Sequence, residues 1–222
     1  STWNKDTGIG RMYFDGDITT VPNSAFRQNN KLLGIISFPT TITSLRAGSF
    51  RFDEADTSAR SALTSVKLHE GITHVNERSF LACRKLTQFE FPNSVTTLGH
   101  RVFKDCTGLT KVTFGKNLIQ FRDDDSTSAN DGSGFFMNCT ALKTIQWNAV
   151  NCPDFLNSSY SPFTSALPIT TVKFGSSVKY IPSYIFFKCE GIKSVTIPAS
   201  CTSIGDRAFQ GCSGLTKVTV NA

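Results

Sequence analysis

Methionine, tryptophan and histidine are scarce in this chain of 222 residues, at 2, 2 and 3 copies, and only 18% of the residues are charged. Long apolar runs are missing as well. The longest mostly apolar stretch, Leu32 to Phe38, falls far short of the roughly 20 residues a membrane-spanning helix needs, so no membrane insertion is expected within the chain. The cysteines never recur at the close Cys-x₂₋₄-Cys spacing of a zinc site. Gly8-Ile9-Gly10 and Gly115-Lys116 lack the rest of any phosphate-cradling motif. The first residues, Ser1-Thr2-Trp3, carry neither an initiator methionine nor a basic-then-apolar leader. A mature or trimmed piece is therefore expected, with any export signal or lipid anchor upstream.

Apolar residues make up 39% of the chain, enough for a core. Its formal net charge of +6 favours an acidic partner. Nineteen Phe dominate the apolar set, and seven Cys, an odd number, cannot all close into intrachain disulfides.

An internal repeat accounts for both excesses. Segment 95–114, VTTLGHRVFKDCTGLTKVTF, and segment 201–220, CTSIGDRAFQGCSGLTKVTV, share 11 of 20 positions. One Phe marks each unit: Phe26, Phe50, Phe80, Phe103, Phe136, Phe163, Phe186 and Phe209, with gaps of 24, 30, 23, 33, 27, 23 and 23 residues. Within a unit the frame is I/V-T-x-I/L, four residues, Phe-x-x-Cys-x-x-Leu-x-x-Val-x-Phe/Ile/Val. Its two alternating pieces, such as Val66-Lys67-Leu68 and Val195-Thr196-Ile197, read as strands, and Gly205-Asp206-Arg207-Ala208-Phe209 reads as one turn of helix. No single unit can bury its own apolar side, whereas stacked units share a continuous core.

This frame resembles the BspA-like, or Treponema-type, leucine-rich repeats, whose units run approximately L-x-x-I-x-I-P-x-x-V-x-x-I-G-x-x-A-F-x-x-C. Ile192 fills the leading slot of one copy, followed by KSVTIPASCTSIGDRAFQGC (193–212), and LTQFEFPNSVTTLGHRVFKDC (86–106) matches nearly as well. The resemblance spans about residues 12–220. It implies an α/β-type repeat solenoid, mostly β: a right-handed superhelix with a parallel concave sheet of about nine strands and short helical turns. Residues 1–17 are expected to form a lead-in with the first strand. Residues 18–222 are expected to form eight repeats with a basic unit of 23 residues and insertions near 51–61, 122–134 and 153–168. The resemblance further implies an exported protein, anchored at a cell surface or secreted, of a bacterial type associated with adhesion to host matrix proteins and cell–cell attachment. The motif defines a scaffold, and no catalytic or ligand-binding residue carries over from it.

Five cysteines share one slot: Cys83, Cys106, Cys139, Cys189 and Cys212. Cys201 opens a strand and Cys152 falls near that slot, so the cysteines are expected inside, as free thiols acting as small hydrophobes. Neighbours such as Cys83/Cys106 and Cys189/Cys212 come within bridging range by distance, but parallel side-chain directions oppose a bond. His69 follows one strand, while His74 and His100 fall in or just after the other, so no metal site or Ser-His-Asp grouping forms. The cluster Asp123-Asp124-Asp125 with Asn130 and Asp131 places Ser128 and Gly134 where an EF-hand needs Gly and Glu. It reads as a solvated insertion, with an ion site as the lesser alternative. No metal or other cofactor is expected.

Function is expected on the outward positions of the Val-x-Phe strands. Read strand by strand, they place Arg11, Tyr13, Lys67, Gln88, Glu90, Lys111, Gln146, Lys173 and Lys217 along one stripe. Five basic residues against one acidic give this stripe +4 of the chain's +6. Two readings stay open: a solvated face that resists aggregation, or a binding surface for a host or matrix protein or an acidic glycan. Tyr13 alone among these residues is aromatic, so nucleic acid is not an expected partner. A spacer that projects another domain from the cell surface is the alternative function. A glycan-processing enzyme would need converging carboxylates, and the acidic residues scatter among loops. The last strand ends at Val220 without a polar cap, which leaves an edge at the C-terminal repeat open to end-to-end or edge pairing.

Overall fold

The computed structural model describes residues 2–3, 10–11, 18–29, 34–52, 63–121 and 132–221. Two-residue and longer β-strands alternate along the chain and stack into two parallel ladders, one on each side of a shared core. The short-strand ladder joins Thr20–Val21, Ser44–Leu45, His74–Val75, Thr97–Leu98 and Gln120–Phe121, and resumes as Tyr180–Ile181 beside Ser203–Ile204. Eight long strands line the opposite side. Gly34–Ser37 pairs with Leu63–Lys67; Gln88–Glu90, Lys111–Thr113, Thr144–Trp147 and Thr171–Phe174 form a block; Ser194–Ile197 pairs with Lys217–Val220. The long-strand side was expected as one sheet, and it is instead three hydrogen-bonded blocks.

Alternation sets the faces. Val112 is buried between exposed Lys111 and half-buried Thr113, and Val195 and Ile197 are buried beside exposed Ser194 and Thr196. The eight repeat-marking phenylalanines form one column of near-parallel rings. From Phe26 to Phe209, successive centroids lie 5.0, 5.6, 5.8, 5.7, 5.5, 5.1 and 5.6 Å apart. Each fully buried ring contributes about 1.5–3 kcal/mol by leaving water, and each offset stack adds about 0.5–1.5 kcal/mol. The phenylalanine excess is this spine.

Cysteine has its own place beside the spine. Six of the seven are buried and Cys201 is half-buried, all as free thiols. The Sγ of Cys83, Cys106, Cys139 and Cys212 donates to the carbonyl of the preceding coil's Phe50, Phe80, Phe103 and Phe186, at 3.5, 3.1, 3.0 and 3.1 Å. Burial pushes the Cys139 and Cys189 thiols up to about 12.

The expected helical turns are not helices. Phe80 is flanked by left-handed residues two before and two after it, Arg78 and Ala82; Phe103 by Arg101 and Asp105; Phe186 by Tyr184 and Lys188. In these turns only alternate amides bond locally, as Leu81 N does to Arg78 O at 3.1 Å. The amides between point to the next coil: those of Arg78, Phe80 and Ala82 donate to His100 O, Val102 O and Lys104 O at 2.9, 3.1 and 2.8 Å. A helix would use every amide internally, whereas these turns give half of theirs to the neighbour. Every such bond runs from one coil's amide to the following coil's carbonyl. The one helix among the described residues is a 3₁₀ turn, Ser158–Tyr160, in the irregular Phe163 unit, where the Asn157 side chain caps the Ser159 amide.

The lead-in also differs from expectation. Gly10–Arg11 pairs antiparallel with Thr2–Trp3, with Arg11 opposite Thr2. The described pairing of Arg11 is thus with the N-terminal residues, where a parallel rung of the long-strand sheet was expected. Tyr13, the acidic cluster at 123–131 and most of the 51–61 insertion lie outside the described residues.

Candidate recognition face

The long-strand side carries seven of the nine expected stripe residues, Lys67, Gln88, Glu90, Lys111, Gln146, Lys173 and Lys217. Two columns of outward residues flank each inward slot. One column runs Gln88, Lys111, Thr144, Thr171; the other runs Glu90, Thr113, Gln146, Lys173. Beyond the block, Lys67 follows inward Val66, and Lys217 precedes Val218 in register with Ser194. Lys67, Lys111, Lys173, Lys217 and Glu90 are all exposed and make no ion pair among the described residues. Gln146 is half-buried, its Nε2 donating to Asn148 Oδ1 at 2.7 Å. With Arg11 in the N-terminal hairpin, the described stripe holds four lysines against one glutamate.

Four of the expected residues meet in one place. Lys67, Gln88, Glu90 and Lys111 line a cleft of about 530 Å³, floored by Val66 and Phe89. It opens where no ladder bonds join Leu63–Lys67 to Gln88–Glu90. At this slot, where Val66, Val112, Ile145, Val172, Val195 and Val218 stand in other strands, Phe89 is aromatic. Its ring wedges against two members of the spine, 5.0 Å from Phe80 and 4.8 Å from Phe103. One break coincides with this larger side chain; the other, between Thr171–Phe174 and Ser194–Ile197, lies between two valine slots.

A side-chain latch spans the same gap. Glu70, at the cleft's edge, accepts from the Asn93 amide at 3.0 Å, Asn93 Nδ2 at 3.3 Å and the Ser94 amide at 2.9 Å. Ser94 Oγ in turn donates to Ile72 O at 2.7 Å and accepts from the Gly71 amide at 3.1 Å. Partial burial pushes the Glu70 carboxyl up, but these donors outweigh it and hold it below its usual range. On the opposite edge of the coils, the short strands His74–Val75 and Thr97–Leu98 stay paired. The cleft is thus a fixed opening, bonded on both flanks. Most of the stripe was legible in the repeat register; the cleft, which depends on pairing between coils, was not.

Among the described residues no three His, Cys, Asp or Glu side chains gather as a metal site. No described helix is long and apolar enough to cross a membrane.

Comparison with known proteins points one way. The profile of a BspA type leucine rich repeat region, in 6 copies, matches residues 5–127, 55–147 and 127–222. A leucine-rich repeat protein from Eubacterium ventriosum superposes with a TM-score of 0.57 at 18% identity, covering 78% of this chain and 41% of that one. A leucine rich cell surface protein from Faecalibacterium prausnitzii shares 16% identity over 92% of this chain and 77% of its own, with a TM-score of 0.34. The leucine rich repeat protein of T. pallidum shares 18% identity over 83% of this chain and 68% of its own, with a TM-score of 0.44. The chain therefore spans less than half the length of the E. ventriosum protein. No curated protein matches it.

Proposed function

The chain belongs to the BspA type leucine-rich-repeat family, and on that footing we propose that it is a non-enzymatic recognition module. It would be exported, displayed on a bacterial surface or secreted, and would adhere to a protein or glycan through the long-strand face. One observation carries this reading: four exposed lysines, unpaired among the described residues, stand on the stacked coils, two of them at the mouth of a bonded cleft. Desolvating an unpaired exposed lysine against an anionic partner breaks no internal ion pair, so attraction is not offset by one. Spread over several coils, weak contacts of this kind sum to useful affinity, the way solenoid faces generally bind. A spacer would need no such face.

The test is a binding screen of the purified chain against matrix proteins and acidic glycans at two salt concentrations. A salt-sensitive interaction, weakened when Lys67, Lys111 and Lys173 are reversed to Glu with the melting temperature unchanged, supports the reading. Binding indifferent to these reversals would move recognition to the loops, and an absence of binding throughout would favour the spacer.

A further inference from the structure

The lysines of the face are periodic. Count seven successive long strands from Leu63–Lys67 to Lys217–Val220. Outward lysines occupy the first, third, fifth and seventh: Lys67, Lys111, Lys173 and Lys217. They also alternate between columns, since Lys67 and Lys173 follow the inward residue of their strands while Lys111 and Lys217 precede it. Within the bonded block strands lie about 4.8 Å apart, which sets Lys111 and Lys173 ~10 Å apart along the stack, and Lys67 and Lys217 continue the every-second-strand order across the two breaks, in a zigzag about two residues wide. The strands between carry uncharged Gln88, Thr144, Gln146, Ser194 and Thr196, and the face's one acid, Glu90, stands on the second strand, out of phase with every lysine. Lys143 and Lys193 stand exposed just before the fourth and sixth strands, and they add positive field at the rim without entering either column.

From this pattern we propose that the face binds a linear glycan bearing one anionic group, sulfate or carboxylate, per disaccharide, laid along the stack axis. The inference rests on the recognition reading above and gives it a ligand class. A disaccharide of an extended pyranose chain spans about two strand spacings, so its anionic group meets one lysine per repeat. The intervening sugar hydroxyls fall over the Thr, Ser and Gln positions, and over Glu90, which accepts from hydroxyls and repels a misplaced anion. Other polyanions are out of step. A nucleic acid strand carries a charge every ~3.4 Å, about three for each lysine, which leaves most phosphates unmatched, and it gains from aromatic platforms, none of which stands on the described face. An extended acidic peptide presents same-side groups every ~6.7 Å, which fall out of register after one lysine. The cleft sits between the first two lysines, giving one end of the glycan a recess and the array a polarity.

The experiment titrates the chain with hyaluronan oligosaccharides of increasing length, which carry one carboxylate per disaccharide, with poly-glutamate and an oligothymidylate as competing probes. Affinity should climb with each added disaccharide until the four lysines are spanned, then level off. Reversing all four lysines to Glu should lower it by more than about 100-fold and flatten the salt dependence, because each cation lost removes its released counterion. The decisive variant keeps net charge and breaks the period: Lys111→Thr with Thr144→Lys. It should lose about tenfold in glycan affinity if spacing matters, and its melting temperature shows whether the fold is intact. Equal binding by the shifted variant, or tighter binding of poly-glutamate or oligothymidylate, would overturn the glycan assignment. Loss of glycan binding altogether, with matrix-protein binding retained in the screen, would also overturn it and leave the recognition reading standing.

Discussion

The last two coils hold the same residue types in the same slots and differ in what lies beyond them. In the penultimate coil Ile181, Phe186, Val195 and Ile197 are 0, 0, 3 and 4% exposed. Their counterparts in the last coil include Ile204 at 48%, Val218 at 57% and Val220 at 71%. Phe209 and Leu215 are only partly buried against the core, whereas Phe186 and Ile192 are fully enclosed. Burial here is a property of having two neighbours. A slot filled on one side only keeps its stacking partner, yet leaves half its apolar surface in water, so stability is nearly a sum of coil–coil interfaces.

The largest expected difference between such positions is in the spine. Phe103→Ala removes a ring that packs against Phe80, Phe89, Phe91, Phe135 and Phe136, and should cost about 3–5 kcal/mol in urea unfolding. Phe209→Ala removes one side of a stack already open to solvent and should cost roughly half as much or less. Equal costs would show that the last coil is covered in solution.

A hydroxyl probes the same contrast more gently. Val195→Thr buries an unsatisfied group and should lose about 1–3 kcal/mol, whereas Val218→Thr should leave stability within about 0.5 kcal/mol. Thermal melts of the two variants check this directly.

Next in size come the thiols. Cys139 is enclosed, its Sγ bonded to Phe103 O at 3.0 Å and its thiol raised to about 12, first by burial. Cys201 is half-buried. Alkylation of the native protein at pH 8, followed by peptide mass mapping, should label Cys201 first and leave Cys106, Cys139 and Cys189 unmodified until the coils separate. Early labelling of Cys139 would mean that interior interfaces open as readily as the terminal one.

The smallest effect is the pH dependence of the latch. The Glu70 carboxyl lies below its usual 4.5 in the folded state, so its contribution is complete above that value and lost as pH falls through the folded value. Glu70 is exposed, so the change is modest. Between pH 6 and pH 3 the native chain should lose more melting temperature than Glu70→Gln does. Identical slopes would assign the tie between these coils to packing alone.

Much of this was legible in the residues. A repeat-marking Phe every 23 residues or so identified the spine, because a slot shared by eight units is a spatial column once the units stack. The alternation of Lys111-Val112-Thr113 and Lys217-Val218-Thr219 likewise assigned faces before any coordinates. What escaped was geometry between coils. A local pattern such as Gly-Asp-Arg-Ala-Phe suits a helical turn, and only the neighbour's carbonyls explain why Arg101, Asp105 and Lys188 adopt left-handed backbone. The two breaks in the long-strand side, one beside Phe89 and one between the Val172 and Val195 strands, are matters of packing between coils that periodicity does not encode. Arg11 was placed by an apparent Met12/Phe14 alternation, and that motif was too short to exclude a hairpin with Thr2–Trp3.

The one-way bonding of the turns makes the two faces of every coil different chemical objects. Each turn hands its amides forward, and the amides of Arg207, Phe209 and Gly211 have no carbonyl ahead of them among the described residues. Two such faces brought together by a twofold axis would set donor against donor along the whole turn. Whatever coil or partner meets these turns must therefore meet them carbonyl-first, and the stack has a direction that the repeat of its residues alone does not show.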